Sequence, residues 1–479
     1  MLCGSVKIIF LCLVTLGLPL VVKGRGELYE KIAYFWHITD IHYDGHYSSY
    51  PENRKSCWRT YDPSNSRSKS QSQRSPSNPY GDYNCDSTWD LIESAARMMM
   101  SRQNENVEFV LWTGDAISHH AMRHLKEEKQ LEIIQNVTDL LRKTFSSQFV
   151  FPALGHDDPL PRKELGKMWR QWLPTDAMKM FETGGYYFIE RKTQKLQIVV
   201  LNTNLMKRQD DNDEEALRQW RWLEEVLEKF KKNGQKVYFV GHVPPGTDER
   251  HKGITAPNHI MYRDHHNKRY LQIVRKYHSM IVGQFFGHLH SDTFRVFYSE
   301  NGRPISWSML APSITPKRNH DGPNNPGLRI YKFDRDSGQV FDYTQYYLDL
   351  SAANSNGKAE WVVEYNFSTY YGINDITPLN LHTLADKFTQ ESGSGENGVF
   401  TKYYKANSVR INNKASYNCD DTCAHMHYCA ITRIDYEEHE QCLKIAASAL
   451  ASSSSYLVLG TVFRLLLTGS FCLVFRFAD

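Results

Sequence analysis

Residues 34–44 read YFWHITDIHYD. An apolar run, Ile32–Ile38, predicts a buried strand, and Asp40 and His42 follow it at alternate positions. The same arrangement recurs along the chain. Val107–Trp112 leads to Gly114-Asp115, with His119 four residues on. Gln148–Phe151 leads to Gly155-His156-Asp157-Asp158, Lys236–Val240 to Gly241-His242, and Ile281–Phe286 to Gly287-His288-Leu289-His290. A lone Asp-x-His or His-x-His is commonly a surface coincidence. Five strand ends that each deliver Asp or His, in order and mostly beside glycine, are not.

Another apolar run, Leu196–Leu201, predicts a sixth strand, and helical patterns lie between strands. Thr88–Met100 is one. In Asp210–Lys232, Leu217, Trp220, Leu223, Val226, Leu227 and Phe230 recur at helical spacing. Its acidic start and lysine-rich end suit the helix dipole, so it reads as a core-packing amphipathic helix. Strands alternating with helices predict an α/β sandwich.

Carboxyl ends of strands in an open α/β sheet converge on one crevice, where such folds bind ligands. Glycine lets backbone turn and approach closely there. Aspartate can bridge two cations, and imidazole suits zinc or iron. Alternation in an extended segment puts the Asp40/His42 and His288/His290 side chains on one side, which predicts that each pair enters one site. Asn202 and Asn204 of LNTNL, residues 201–205, stand near a strand end and read either as hydrogen-bonding groups beside the site or as a plain turn.

The order of these motifs resembles the calcineurin-like metallophosphoesterases, whose pattern is D-x-H, G-D, G-N-H-[DE], G-H and G-H-x-H. FWHITDIHYD, CDSTWDLIESA, LWTGDAISHH, FPALG, LNTNL, GHVPPG, FFGHLHSDTF, APSITP and the cysteine set CDDTC…YCAI…C resemble the acid sphingomyelinase-like phosphodiesterases, over about Tyr34 to Cys442. Acid sphingomyelinase itself carries a saposin domain ahead of the catalytic one. Asp40 follows the N-terminal apolar run almost at once, which points to the "-like" branch. The resemblance implies a double-sheet sandwich flanked by helices over residues 28–348, and a small Cys-rich helical subdomain over 349–443. It also implies two zinc ions held by residues matching Asp40, His42, Asp115, His242, His288 and His290, with Asp115 bridging. A further asparagine ligand and a catalytic histidine come from G-N-H. His119, matching the histidine of G-D-x-x-x-H, is implied to stand near the leaving group.

At G-N-H-D this chain departs from the family: it has Gly155-His156-Asp157-Asp158. Either His156 replaces the asparagine and Asp157 the histidine, or the asparagine is deleted and His156-Asp157 match H-D. We favour the deletion, which keeps a His-Asp pair in which carboxylate orients imidazole. It makes His156 catalytic alongside His119.

The composition sets the compartment. A net charge of +3 over 479 residues does not call for nucleic acid. Lys7 followed by apolar Ile8–Val22 reads as a secretory signal, taken as residues 1–24. Cys57, Cys85, Cys419, Cys423, Cys429 and Cys442 remain once the signal and tail are set aside. An even set in an exported chain predicts disulfides, most simply as local pairs; a zinc knuckle at 419–442 is the rival. Asn136 and Asn366 open glycosylation sequons. The polar stretch 64–78 reads as a loop closed by Cys57–Cys85. Residues 444–479 place small residues ahead of an apolar tail, which resembles a GPI-attachment signal. A transmembrane helix is the alternative, burdened by Arg464 at about 2.5–3.5 kcal/mol near a bilayer centre.

These features predict a secreted or surface-anchored dizinc phosphodiesterase. Its substrates would be nucleotides or phosphocholine-containing molecules, with sphingomyelin or another phospholipid headgroup included. The competing reading is a surface-anchored binding or regulatory protein whose phosphoesterase site has decayed at Gly155–Asp158. No GxxxxGK[ST] or strand-linked GxGxxG is present, which removes P-loop ATPase and dinucleotide chemistry.

Overall fold

The computed structural model describes residues 31–47, 57, 78–102, 105–159, 161–190, 195–210, 212–250, 260–318, 322–390, 398–411 and 419–445. The expected signal, residues 64–77 of the polar loop and the tail from 446 onward lie outside them. Among the described residues no helix is long and apolar enough to cross a membrane.

Two six-stranded sheets form the frame. The first contains β1 (Ile32–Ile38), β2 (Val107–Trp112) and β3 (Phe149–Pro152). The second contains β4 (Tyr187–Ile189), β5 (Leu196–Val200), β6 (Lys236–Val240), β7 (Ile281–Phe286), β8 (Thr293–Tyr298) and β9 (Pro304–Leu310). The chain then returns to the first sheet as β10 (Gly327–Asp334), β11 (Val340–Leu348) and β12 (Trp361–Asn366). The strand orders are β12-β11-β10-β1-β2-β3 and β4-β5-β6-β7-β9-β8.

Within the sheets, β1, β2 and β3 run parallel, as do β5, β6, β7 and β9. β4, β8, β10, β11 and β12 pair antiparallel with their neighbours. The parallel strands are mostly apolar because both faces are covered. Phe35 of β1 shows the packing: it stacks on Phe109 and Tyr331 of its own sheet and meets Phe285 of the other edge-on at 5.3 Å.

The helix predicted from Asp210 begins at Glu214 instead, because the Asp213 carboxylate accepts from the amides of Glu215 and Ala216 and caps it. It runs to Lys232 and buries Trp220, Leu223, Val226, Leu227 and Phe230; Leu217 lies off that face. Helix Trp89–Met100 is capped by Thr88. β12 lies beyond residue 348 and still extends the first sheet through β11, so the expected subdomain boundary falls inside a sheet. Helices Pro378–Gln390, Val399–Asn407 and Asp421–Thr432 follow, packed together and against β8 and β9. Disulfides join Cys57 to Cys85, Cys419 to Cys423 and Cys429 to Cys442. Asn136 and Asn366 are both exposed, but Thr138 of the first sequon is buried and its hydroxyl accepts from Trp169.

Candidate metal centre

The parallel strands of both sheets end at one edge of the sandwich, and Asp40, His42, Asp115, His156, His242, His288 and His290 meet there. Two ligand-type groups result. Asp40, His42 and His290 form one; Asp115, His156, His242 and His288 form the other. His288 and His290 therefore part, one to each group. Alternation in an extended segment does not describe them, because Asp40, His42, Asp115, His288 and His290 all have positive φ, from 45° to 71°. Left-handed backbone at non-glycine residues carries strain of the kind that collects at functional sites.

Glycines supply close approach beside them. A Cβ at Gly155 would lie 2.1 Å from the amide nitrogen of Asp115, and one at Gly287 would lie 1.9 Å from Thr39 Oγ1. Asp158 staples the two turns, its carboxylate accepting from the amides of Asp115, Ala116 and Gly155. Burial, then the Asp115 charge, pushes Asp158 up to about 6. Asn204 donates to the carbonyls of Leu154 and Gly155 and so supports the same turn. Asn202 donates instead to Gly184 and serves the scaffold.

Each carboxylate has one oxygen held by hydroxyl or amide donors and the other turned toward the histidines. Asp40 Oδ2 accepts from Thr39 Oγ1 at 2.6 Å and from the His288 amide at 2.9 Å. Its Oδ1 faces His290 Nε2 at 3.3 Å and His42 Nε2 at 3.7 Å. Asp115 Oδ1 accepts from the Asp157 amide at 2.8 Å. Its Oδ2 faces His156 Nδ1 at 2.8 Å, His242 Nε2 at 3.0 Å and His42 Nε2 at 3.6 Å, so a single oxygen touches both groups.

The histidines are oriented from behind. His42 Nδ1 donates to the Ile117 carbonyl, His242 Nδ1 to Thr113 and His290 Nδ1 to Lys317, which turns each Nε2 into the site. His42 Nε2 and His290 Nε2 lie 3.2 Å apart. A tetrahedral ion with bonds of about 2.1 Å spaces its ligand atoms by about 3.4 Å. Asp40 Oδ1, Asp115 Oδ2, Asp157 Oδ2 and His288 Nδ1 are buried with no hydrogen-bond partner among the described residues. Orphaned oxygens and imidazole nitrogens aimed at one another fit a pair of cations.

Electrostatics agree. Burial works to raise the Asp40 and Asp115 carboxyls, yet His290 beside the first, and His156 and His242 beside the second, hold both well below the usual range. Burial works to lower His42 and His242; Asp40 with Asp115 pulls the first up to about 10, and Asp115 pulls the second up to about 9. His288 is held well below its ordinary value by burial, then by the Lys207 charge.

His156 stands in the second group rather than beside His119. Under the deletion alignment it would have taken the catalytic position. Here His156 lies beside Asp115 and His242, and Asp157 lies beside His119. Asp158, through its three amide contacts, anchors the end of the turn. Asp157 Oδ2 sits 3.6 Å from His119 Nε2 and 3.9 Å from His42 Nδ1. His119 stacks on His42 at 4.2 Å, and its Nδ1 meets Asp86 Oδ1 at 2.9 Å. Sequence reading missed Asp86; its position beside the half-cystine Cys85 is the signal that would have drawn attention to it.

Two family models match the chain. "Calcineurin-like phosphoesterase" covers residues 33–292, and "Acid sphingomyelin phosphodiesterase C-terminal region" covers residues 303–449. The human acid sphingomyelinase-like phosphodiesterase 3b is 34% identical over 434 residues, 85% of this chain and 90% of the relative. The human cyclic GMP-AMP phosphodiesterase SMPDL3A is 32% identical, over 92% of this chain and 98% of the relative. Sphingomyelinase phosphodiesterase C of Dictyostelium discoideum is 28% identical, over 92% and 98%.

Proposed function

This chain belongs to the acid sphingomyelinase-like phosphodiesterases within the calcineurin-like metallophosphoesterases, and from that premise we propose that it is an exported dizinc enzyme acting on nucleotide-type phosphodiesters or phosphoanhydrides. It is a metal-dependent phosphodiesterase with a dimetal site. The observation that carries the reading is Asp115 Oδ2, which faces His42 of one group and His156 and His242 of the other.

In this reading Asp40, His42 and His290 would hold one cation, His156, His242 and His288 the other, and Asp115 would be shared between them. Imidazole with carboxylate favours zinc. When bound, such a pair polarises a phosphate and acidifies a water for in-line attack. The protein's own contribution is orientation and proton transfer. His119 donates from Nε2 to the leaving oxygen, while Asp86 holds Nδ1 and stabilises the imidazolium. Lys207 ends the 3₁₀ turn Thr203–Lys207, and its charge acts on Asp115 and Asp157; it favours an anionic substrate at the mouth.

A cyclic dinucleotide or another nucleotide diester suits this cleft. Phosphocholine-containing substrates, sphingomyelin among them, are the second class. Three disulfides suit an oxidising compartment, and the C-terminal apolar segment is proposed to tether the protein to the outer membrane face. Asp157 beside His119, the position the replacement alignment gives to the family histidine, favours one competing reading, a surface binder with a weakened site. Zinc content measured together with turnover of bis-p-nitrophenyl phosphate decides between them. About two zinc per chain with turnover supports the enzyme. Two tightly held zinc without turnover supports the binder, and no retained metal overturns both.

A further inference from the structure

Three histidines outside the centre converge on the neighbouring surface. His120 and His124 are spaced H-x₃-H on helix His119–His124, and their ring centres lie 4.8 Å apart. His46 approaches from the segment after β1, with its ring 6.2 Å from that of His120. The two segments are joined by backbone bonds, from Tyr43 N to the Ala116 carbonyl and from Ser118 N to the Tyr43 carbonyl. The His46 turn is further held by its own amide, which donates to Asp44 Oδ1 at 2.9 Å. His46 and His124 are exposed and His120 is half-buried. Burial holds the His120 imidazole below its ordinary value, with His124 and His46 adding to that effect and Asp44 and Asp86 opposing it.

We propose that His46, His120 and His124 form a third divalent transition-metal site, separate from the catalytic pair. Zinc–nitrogen bonds of about 2.0–2.1 Å set neighbouring imidazole centres of a tetrahedral site roughly 5 Å apart. The His120–His124 pair already has that spacing, and the exposed His46 side chain closes the remaining gap by a change of rotamer. Three imidazoles leave a position for water. An ion there cross-links the segment that carries Asp40 and His42 to the helix that carries His119, so its occupancy stiffens both sides of the cleft.

Zinc bound per chain, measured on the full-length protein by equilibrium dialysis against Zn²⁺ and elemental analysis, tests the site. The wild type should hold one equivalent more than the His120→Ala/His124→Ala variant. An Asp115→Asn/His242→Ala variant should lose catalytic zinc and keep the extra equivalent, which separates this site from the dimetal reading. His46→Ala, a change on an exposed turn that spares the helix, should weaken the extra equivalent about tenfold or more. Equal zinc in wild type and His120→Ala/His124→Ala, or unchanged affinity in His46→Ala, overturns the proposal.

Discussion

Asp86 and His119 form a buried dyad: the imidazole Nδ1 lies 2.9 Å from one carboxylate oxygen and 3.1 Å from the other. Nε2 is thereby left facing the cleft. His119→Gln should lower kcat by about 10²–10⁴-fold, the usual worth of one general acid. Zinc content should stay unchanged, since His119 belongs to neither half of the dimetal pair. Asp86→Asn should lower kcat less and leave KM nearly constant. Steady-state kinetics with a poor and a good leaving group would check both, because loss of the proton donor hurts the poor leaving group more.

Asp115→Asn removes the shared charge while keeping shape. Bound zinc should fall below two per chain and turnover should vanish with it. Elemental analysis of the purified variant gives the count; two retained zinc ions would contradict a bridging role.

Asp157 faces His119 Nε2 at 3.6 Å with a carboxylate oxygen that no donor among the described residues satisfies. It competes with a leaving oxygen for the His119 proton. Asp157→His removes that competition and adds a second donor, so kcat should rise about tenfold or more at constant metal content. An unchanged rate would show that Asp157 is already fitted to the chemistry.

Metal binding should depend on pH with a definite sign. His42 at about 10 and His242 at about 9 lie above the ordinary histidine value. In the metal-stripped protein their contribution to stability is full below about pH 6.5. It is lost as pH rises through the folded values. A cation needs both rings neutral, so binding releases protons across that window. The rise in Tm conferred by zinc over chelator-treated protein should therefore grow from pH 6 towards about pH 9. Differential scanning fluorimetry at fixed free zinc would measure it.

Gly155→Ala forces a methyl into the Asp115 backbone, where the contact would be 2.1 Å. Overpacking of this kind costs about 1–3 kcal/mol, read from the midpoint of urea unfolding. Zinc should be lost as well, because the turn carries His156.

Periodicity in the sequence was enough to place β1, β2, β6 and β7 and to mark the ends that deliver Asp40, Asp115, His242 and His288. Such strands are buried on both faces, so their apolar runs stand out locally. The helix at Glu214–Lys232 was legible for the same reason, apart from its first turn, which the Asp213 cap decides. Strands β4 and β8 to β12 were not read; β11 and β12 alternate or expose much of their length and so resemble ordinary polar chain. The Gly155–Asp158 turn could be aligned two ways on paper. What the tertiary structure adds is the three amides that Asp158 accepts, two of them from the 115–116 turn, which fix where His156 and Asp157 lie.

Residue types and their order along the chain thus determined the family, the α/β sandwich and which side chains carry the chemistry, since those follow from local pattern. Tertiary structure alone decided how they are shared out. His42 and His290 are 248 residues apart, yet their nitrogens lie 3.2 Å from each other, and His288 and His290, neighbours in sequence, turn to different groups. Left-handed backbone at the ligands and carbonyls placed behind the imidazoles set those directions, and both come from the packing of two sheets that no local stretch encodes.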